Sequence, residues 1–246
     1  MKKLVSVSLA VVLVFALVLP VSAWSSGGVD HTHQYLTSQA LQILRNDGKV
    51  AAADLLAGYR TTLLQYSDWP DTSENDGGLY TSHFYNPYTG KTFLGSTTAL
   101  TRFTTHANNA KKYYAKNRTL AMQELGKALH YLADINEPHH AANLIAGLSN
   151  HTSYENWVDA YRLTFGSTTS TLYGAVPYDA KRNYATYCTE LFRKAAFFAY
   201  AWSDEASSSS TVLWNDSADA TMDYAQQSMA AFLDNFLYSV GAVKAP

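Results

Sequence analysis

Most of the chain consists of segments in which apolar residues recur every three to four positions, the spacing of one face of an α-helix. In the first of them, which we expect Thr32 to cap, this face carries Tyr35, Leu36, Gln39, Ile43 and Leu44. The same spacing predicts further helices over 49–66, 119–135, 153–165, 179–202 and 218–243. No segment alternates apolar and polar residues for long enough to predict a sheet, so we predict an all-α fold.

Glycine, serine, threonine and proline concentrate in 71–96, 166–177 and 203–219, which we therefore predict to be loops. None of these segments has the composition of a linker that would separate two domains. A length of 246 residues allows one domain or two small ones, and a hydrophobic content of 47% is enough for a sizeable core. We expect a single compact multi-helix domain.

The first 23 residues form a separate unit. Two lysines, Lys2 and Lys3, precede an uncharged apolar run over 4–19, and the small residues Ser22 and Ala23 follow it. This order is typical of a secretory signal peptide, with an uncleaved membrane anchor as the alternative. We predict a signal peptide over 1–23 and a secreted, extracellular mature chain over 24–246 that begins at Trp24 and has no transmembrane segment.

Charge and cysteine content exclude several classes of protein. A net charge of −2, with a pI near 6.4, argues against a strongly basic nucleic-acid-binding protein. The single cysteine, Cys188, excludes a disulfide framework and a zinc site built from several thiolates. Because Cys188 lies in an aromatic helical segment, we expect it to be a small buried apolar residue.

Histidines and carboxylates occur in a pattern that suggests metal binding. His130 and Asp134 are four residues apart, as are His151 and Glu155, so each pair lies on one face of a helix. Imidazole nitrogen and carboxylate oxygen are ligands that zinc accepts, although any one such pair can be an ordinary hydrogen bond. Further candidates of the same two types lie elsewhere in the chain: His33, Asp71, His83 and His140.

Neighbouring histidines compete with two of these candidates. His31 lies two positions before His33 and His139 directly before His140, so on a helix each neighbour points elsewhere. We take His33 and His140 as the candidates. His106 lies in a polar helical segment, and we expect it to be an ordinary surface or core residue.

The string HYLADINEPHHAAN over 130–143, followed by HTSYE over 151–155, resembles the core of the bacterial zinc-dependent phospholipases C, which include alpha-toxin-like lecithinases. Trp24, the segment THQY, and the motifs WPD and SHF match the family at the expected places. Fungal zinc nucleases specific for single strands share this fold and metal cluster. The resemblance therefore implies an all-α domain of the zinc-dependent phospholipase C and nuclease type.

The resemblance also implies three zinc ions, two of them bridged by Asp134. The first would be bound by the α-amino group and carbonyl oxygen of Trp24, His33 and Asp134. The second would be bound by Asp71, His83, His130 and Asp134, and the third by His140, His151 and Glu155. Asp71 is also the candidate catalytic residue, as ligand, as base or as both.

The activity implied is hydrolysis of phospholipids at a membrane surface to diacylglycerol and a phosphorylated headgroup, by attack of a metal-bound water. Thr72 stands where choline-selective members of the family have an aromatic residue, and Tyr80 is a second candidate for binding the headgroup. A cationic headgroup favours a carboxylate or an aromatic face, so the headgroup preference stays open.

Two alternatives remain. A secreted zinc-dependent single-strand nuclease would need aromatic platforms and a basic surface, which the acidic charge disfavours. A non-enzymatic secreted helical protein with structural zinc would more typically have a cysteine-rich, closed site. We expect a monomer with no stably bound nucleic acid.

Overall fold

The computed structural model describes residues 31–176 and 183–244. Ten α-helices occur in these residues: α1 Thr32–Asn46, α2 Val50–Ala57, α3 Arg60–Ser73, α4 Ala99–Tyr113, α5 Arg118–Asp134, α6 Pro138–Ala142, α7 His151–Tyr161, α8 Tyr184–Tyr200, α9 Ser203–Ala206 and α10 Thr211–Ser239. Short 3₁₀ turns occur at Asp76–Gly78, Thr81–His83, Ala146–Leu148 and Arg162–Thr164. The described residues contain no strand beyond one isolated bridge between Asn86 and Lys91, so the all-α prediction is confirmed.

The predicted helix bounds hold best where a cap is visible in the sequence. The prediction 119–135 corresponds to α5, whose N-terminus is capped by the Asn117 side chain. The prediction 179–202 corresponds to α8, which begins at Tyr184 after the Asn183 cap, and residues 179–182 lie outside the described part. The prediction 153–165 corresponds to α7 and the 3₁₀ turn that follows it.

Three predicted boundaries are wrong. The segment 49–66 is not one helix, because α2 ends at Ala57 and α3 begins at Arg60, while the apolar spacing continues across the break. The segment 203–219 is mostly helical rather than a loop. It forms α9 and the first turns of α10, with a short connection over 207–210, and most of the polar residues on these two helices face solvent. The segment 71–96 begins inside α3, because Pro70 lies within that helix rather than ending it.

The cap expected at Thr32 is also wrong. His31 is the N-cap of α1, and it makes no side-chain capping bond. Thr32 instead donates its backbone N–H and its hydroxyl to Asp159 of α7, over 3.0 and 2.7 Å. The start of α1 is thereby attached to α7.

Helix α5 lies at the centre of the molecule. Every residue from 128 to 134 is buried, so this stretch of the helix contacts protein on all sides. Phe103 of α4 packs against Phe192 of α8 and Phe232 of α10, with ring centroids 5.2 and 5.1 Å apart, and closes the core beside it. Cys188 is free and buried, as expected.

Gly126 sets the close approach of α3 and α5. A Cβ at this position would lie 2.7 Å from the Tyr66 Cβ and 2.9 Å from the Leu63 carbonyl oxygen. One turn further along both helices, His130 contacts the Ser67 carbonyl oxygen at 2.7 Å. The contacts advance in the same direction along both helices, so α3 and α5 run parallel, and they carry Asp71 and Asp134 to the same end.

We expect Gly126→Ala to destabilise the protein by about 1–3 kcal/mol, because the added methyl group forces α3 and α5 apart. Alanine has the higher helix propensity, by about 1 kcal/mol, so the loss is a net effect of the clash. Gly58→Ala is the matched control, since its Cβ would meet nothing closer than 3.5 Å, at the Leu55 carbonyl oxygen. Chemical unfolding of the three proteins measures both effects. A Gly126→Ala variant as stable as the parent would contradict this account of the helix pair.

No helix within 31–176 and 183–244 combines the length and the apolar character needed to cross a bilayer. The predicted signal peptide over 1–23 and the predicted start at Trp24 lie outside the described residues.

Candidate metal centre

Two adjoining groups of buried imidazoles and carboxylates lie at the end of α5. The Asp134 cluster consists of His33, Asp71, His83, His130 and Asp134, and the Glu155 cluster consists of Glu137, His140, His151 and Glu155. None of these residues is more than 3% exposed. Helices α1, α3 and α5 and one 3₁₀ turn supply the first cluster, while α6, α7 and the residues before α6 supply the second.

Asp134 turns its two oxygens toward different imidazoles. Its Oδ2 lies 2.8 Å from His83 Nδ1 and 3.1 Å from His130 Nε2. Its Oδ1 lies 3.4 Å from His33 Nε2. Burial opposes ionisation, yet the His130 imidazole, followed by His33 and His83, holds the pKa of Asp134 well below its usual range. A carboxylate so placed can bridge two cations.

Asp71 also faces both sides of the cluster. Its Oδ1 lies 3.5 Å from His130 Nε2 and 3.6 Å from His83 Nδ1, and its Oδ2 lies 3.9 Å from His33 Nε2. Neither oxygen has a hydrogen-bond partner in the described part of the chain. The resemblance implied only the His83 and His130 side for Asp71, whereas the geometry places it beside His33 as well.

Main-chain oxygens fix which ring nitrogens face the cluster. His130 Nδ1 lies 2.7 Å from the Ser67 carbonyl oxygen, and His83 Nε2 lies 3.3 Å from that of Glu74. A neutral imidazole has a single N–H, so a ring that donates to these oxygens turns a lone pair toward the cluster. The two inward nitrogens lie 3.1 Å apart and both face Asp134, so they need a proton or a cation between them. The set of imidazole and carboxylate donors fits zinc.

The Glu155 cluster has the same character. Glu155 Oε1 lies 3.0 Å from His151 Nε2 and 3.6 Å from His140 Nε2. None of these three atoms has a hydrogen-bond partner among the described residues. His140 Nδ1 lies 2.9 Å from the His83 carbonyl oxygen, which leaves its Nε2 as the inward lone pair. Burial raises the pKa of Glu155 to about 8, because the buried carboxylate loses its hydration. A bound cation would stabilise the charged form and so lower this pKa.

Glu137 is a member of this cluster that the sequence did not reveal as a candidate. It is the N-cap of α6, and its Oε2 accepts a hydrogen bond of 2.7 Å from the backbone N–H of His140. The same oxygen lies 3.6 Å from His151 Nε2. The available signal was a carboxylate immediately before Pro138 and three residues before His140, which we had counted only as part of the motif.

The two headgroup candidates differ in position. The half-buried ring of Tyr80 lies 5.4 Å from that of His83, and burial together with the Asp71 charge raises the pKa of Tyr80. Thr72 is exposed, and its hydroxyl donates to the Trp69 carbonyl oxygen of its own helix over 2.9 Å. Tyr80 therefore borders the Asp134 cluster, whereas the Thr72 hydroxyl is directed back to α3.

The neighbouring histidines lie in other surroundings. His31 Nδ1 is 3.1 Å from Asp159, outside both clusters, while His33 is within the first. His139 Nδ1 is 2.8 Å from Glu137 Oε1. Trp24 lies outside the described residues, so its predicted role as a ligand stays a prediction.

A buried charged network supports His83 from behind. His106 is a core residue whose ring nitrogens lie 2.9 Å from Glu124 and 3.0 Å from Glu74. Burial alone would lower the pKa of His106, but its hydrogen bonds to Glu124 and Glu74 raise it, and the pKa of each carboxyl falls to about 2. The Tyr131 hydroxyl also donates to Glu74, over 2.7 Å. This network fixes Glu74, whose carbonyl oxygen faces His83.

Comparisons with known proteins agree with this arrangement. The model of the family "Zinc dependent phospholipase C" matches residues 32–212. A phospholipase C from Paraclostridium bifermentans is 28% identical over 247 residues, covering 85% of this chain and 59% of that protein. A phospholipase C from Bacillus cereus is 30% identical over 188 residues, covering 63% of this chain and 62% of that protein.

The alpha toxin of Clostridium absonum has a similar fold, with a TM-score of 0.79 and 22% identity over 92% of this chain and 68% of the toxin. The chain spans about three fifths of the length of the curated relatives it matches. The family match covers most of the chain and includes every residue of the two clusters. The chain therefore belongs to the zinc-dependent phospholipase C family.

Proposed function

We propose that this protein is a secreted phosphodiesterase that uses three zinc ions to hydrolyse phospholipids to diacylglycerol and a phosphorylated headgroup. Membership of the family supports the reaction class. The observation that carries the proposal is that His83 Nδ1, His130 Nε2 and Asp134 Oδ2 lie within 3.1 Å of one another. If both imidazoles are neutral, all three atoms turn lone pairs toward the same point, which is the arrangement that binds a cation.

The proposed ligands follow the two clusters. His33 and Asp134, with the α-amino group and carbonyl oxygen of Trp24, would hold one ion, and Asp71, His83, His130 and Asp134 would hold a second. His140, His151 and Glu155 would hold the third. At the Asp134 cluster two carboxylates face two divalent cations, so the loaded cluster keeps a net positive charge in a buried site. Such a site favours an anionic phosphodiester over a neutral ligand.

The roles of the protein groups follow from their positions. Bound zinc supplies Lewis-acid chemistry, because it neutralises phosphate charge and makes water more acidic. The Ser67 and Glu74 carbonyl oxygens keep His130 and His83 oriented toward the cluster. Asp71, whose oxygens have no hydrogen-bond partner among the described residues, can hold an ion or accept a proton from water at the cluster. Tyr80 can offer its aromatic face to a headgroup at the rim.

The proposed substrate is phospholipid in a membrane surface. We propose that the protein is a monomer, and that it reaches this substrate outside the cell after residues 1–23 are removed. Aggregated phospholipid presents its phosphodiester at the bilayer surface. A nuclease or a purely structural zinc protein would contain similar clusters, so substrate tests must separate the three functions.

The test is an assay of zinc-loaded protein that begins at Trp24, using vesicles of phosphatidylcholine, vesicles of phosphatidylethanolamine, and single-stranded DNA. We expect release of phosphorylated headgroup and diacylglycerol, its loss in chelator, and no cleavage of DNA. His33→Gln should abolish this release while His31→Gln retains it, because only His33 lies in the cluster. DNA cleavage without lipid cleavage would favour the nuclease, and neither activity would favour structural zinc.

A further inference from the structure

We propose that Glu137 is a fourth protein ligand of the metal ion held by His140, His151 and Glu155, which makes the Glu155 cluster a closed site. This deepens the proposed function and rests on it only in so far as the cluster binds zinc. The resemblance implied three protein ligands at this ion, which would leave a fourth position for water or substrate. The geometry points instead to four.

The distances between the candidate ligand atoms fit a tetrahedron. Ligands about 2.0–2.1 Å from a tetrahedral zinc lie about 3.3–3.4 Å from one another. His151 Nε2 lies 3.0 Å from Glu155 Oε1 and 3.6 Å from Glu137 Oε2, and His140 Nε2 lies 3.6 Å from Glu155 Oε1. These separations bracket the expected value, and the four ligand atoms all lie within 4.8 Å of one another. Glu137 Oε2 is therefore close enough to the other three atoms to serve as the fourth ligand.

Hydrogen bonds hold the Glu137 carboxylate in this orientation. Its Oε2 accepts the His140 backbone N–H, which leaves a second lone pair on that oxygen for a metal. Its Oε1 lies 2.8 Å from His139 Nδ1. The carboxylate is therefore fixed from two sides and cannot turn away from the cluster without losing a bond.

Glu137 and Asn150 hold the His139 ring between them. The Asn150 amide group donates to the carbonyl oxygens of Ala206 and Ser208, so its Oδ1 faces His139 Nε2 at 3.0 Å. The His139 ring is thereby fixed against Glu137 Oε1. Two buried carboxylates that converge on one imidazole nitrogen are costly without a cation between them. A zinc ion at the cluster would supply the required positive charge.

A site with four protein ligands has no open position for substrate, which is the character of a structural zinc site. The ion would join the residues before α6, α6 itself and α7. In the proposed three-zinc enzyme the phosphodiester would then be bound at the Asp134 cluster alone, and the third ion would hold the surrounding segments in place.

Glu137→Gln tests the ligand role because it preserves the surrounding contacts. The amide oxygen can still cap the His140 N–H, and the amide nitrogen can donate to a neutral His139. What the variant loses is the anionic donor. His139→Gln is the matched control. It removes the imidazole that contacts Glu137 Oε1 on the side away from the metal, and it keeps the Glu137 carboxylate.

The measurement is the zinc content of each full-length mature protein after dialysis against graded chelator. We expect Glu137→Gln to release one ion per chain at a free-zinc level more than about 100-fold above that of the parent, and the other ions to stay. Loss of an outer hydrogen-bond partner costs about 10–100-fold in affinity, so His139→Gln should shift less. A shift of 100-fold or less in Glu137→Gln, or one no larger than in His139→Gln, would overturn the proposal.

If Glu137→Gln does not fold, a crystal structure of the zinc-loaded parent decides the matter. A Glu137 oxygen about 2.0–2.2 Å from the ion supports the proposal, and a water in that place overturns it. These readouts do not depend on lipid cleavage. A parent that binds three ions but uses a water as the fourth ligand refutes only this inference. A parent without zinc at either cluster refutes the proposed function itself.

Discussion

Asp134→Asn is expected to lower turnover by more than about 100-fold. Loss of a hydrogen-bond partner of a metal ligand costs up to about 100-fold, and loss of a bridging ligand itself should cost more. Asparagine keeps the size of the side chain but removes the charge that lies between His33, His83 and His130. Two cations that share one neutral amide repel each other more strongly, because Asp71 is then the only carboxylate of the cluster. We therefore expect the variant to lose at least one zinc ion as well as its activity.

The comparison variant for this prediction is His151→Ala, which alters only the Glu155 cluster. It should retain more turnover than Asp134→Asn, because the Asp134 cluster keeps all of its ligands. Turnover on vesicles and zinc content measured on the same samples give the two quantities. If Asp134→Asn kept more than about a tenth of parental turnover, a loss below about 1.4 kcal/mol, the bridging role would be wrong.

A protein extended by one residue or a short tag before Trp24 is expected to bind one zinc weakly and to lose most of its activity. In the extended chain the Trp24 nitrogen is an amide, whose lone pair is delocalised into the carbonyl group, so it is a poor donor to a metal. A free α-amino group, with a pKa of about 7.7–8.0, can become the neutral donor near neutral pH. The two ring nitrogens of His33 have no hydrogen-bond partner among the described residues. In the extended chain His33 would lack the Trp24 amine as its companion ligand.

Removal of the extension should restore both zinc content and activity. Trp24→Ala with the correct terminus should perform better than the extended form, because the backbone donors survive and only contacts of the ring are lost. Equal zinc content and equal turnover in the extended and trimmed proteins would contradict the amine-ligand hypothesis. Removal of the predicted signal peptide would in that case serve export only.

The sequence predicted the helical class and the two imidazole and carboxylate pairs, because both depend on local spacing. His130 and Asp134 lie one turn apart in any helix, and α5 carries them as expected. The boundaries near Gly58 and Pro70 were wrong. The apolar spacing continues across the break at Gly58, and Pro70 lies inside α3 without ending it, so neither residue shows locally where a helix ends.

What could not be predicted depends on contacts between distant segments. The Asp159 carboxylate meets Thr32 from 127 positions away, and this contact replaced the expected Thr32 cap. Glu137 was missed because its capping bond to His140 is a sufficient local reason for a carboxylate before Pro138. Only the position of His151 on α7 shows that the same Glu137 oxygen also faces the other residues of the Glu155 cluster.

His83 connects the two clusters through different atoms. Its ring faces Asp134, while its carbonyl oxygen accepts the ring Nδ1–H of His140. An ion that orders the ring also orders the residue's backbone, and hence the orientation of a ligand of the neighbouring ion. Occupancy of the two clusters would therefore be linked thermodynamically, and by reciprocity each ion would change the affinity for the other by the same factor. Metal loading would accordingly resemble a cooperative transition more than the independent filling of separate sites.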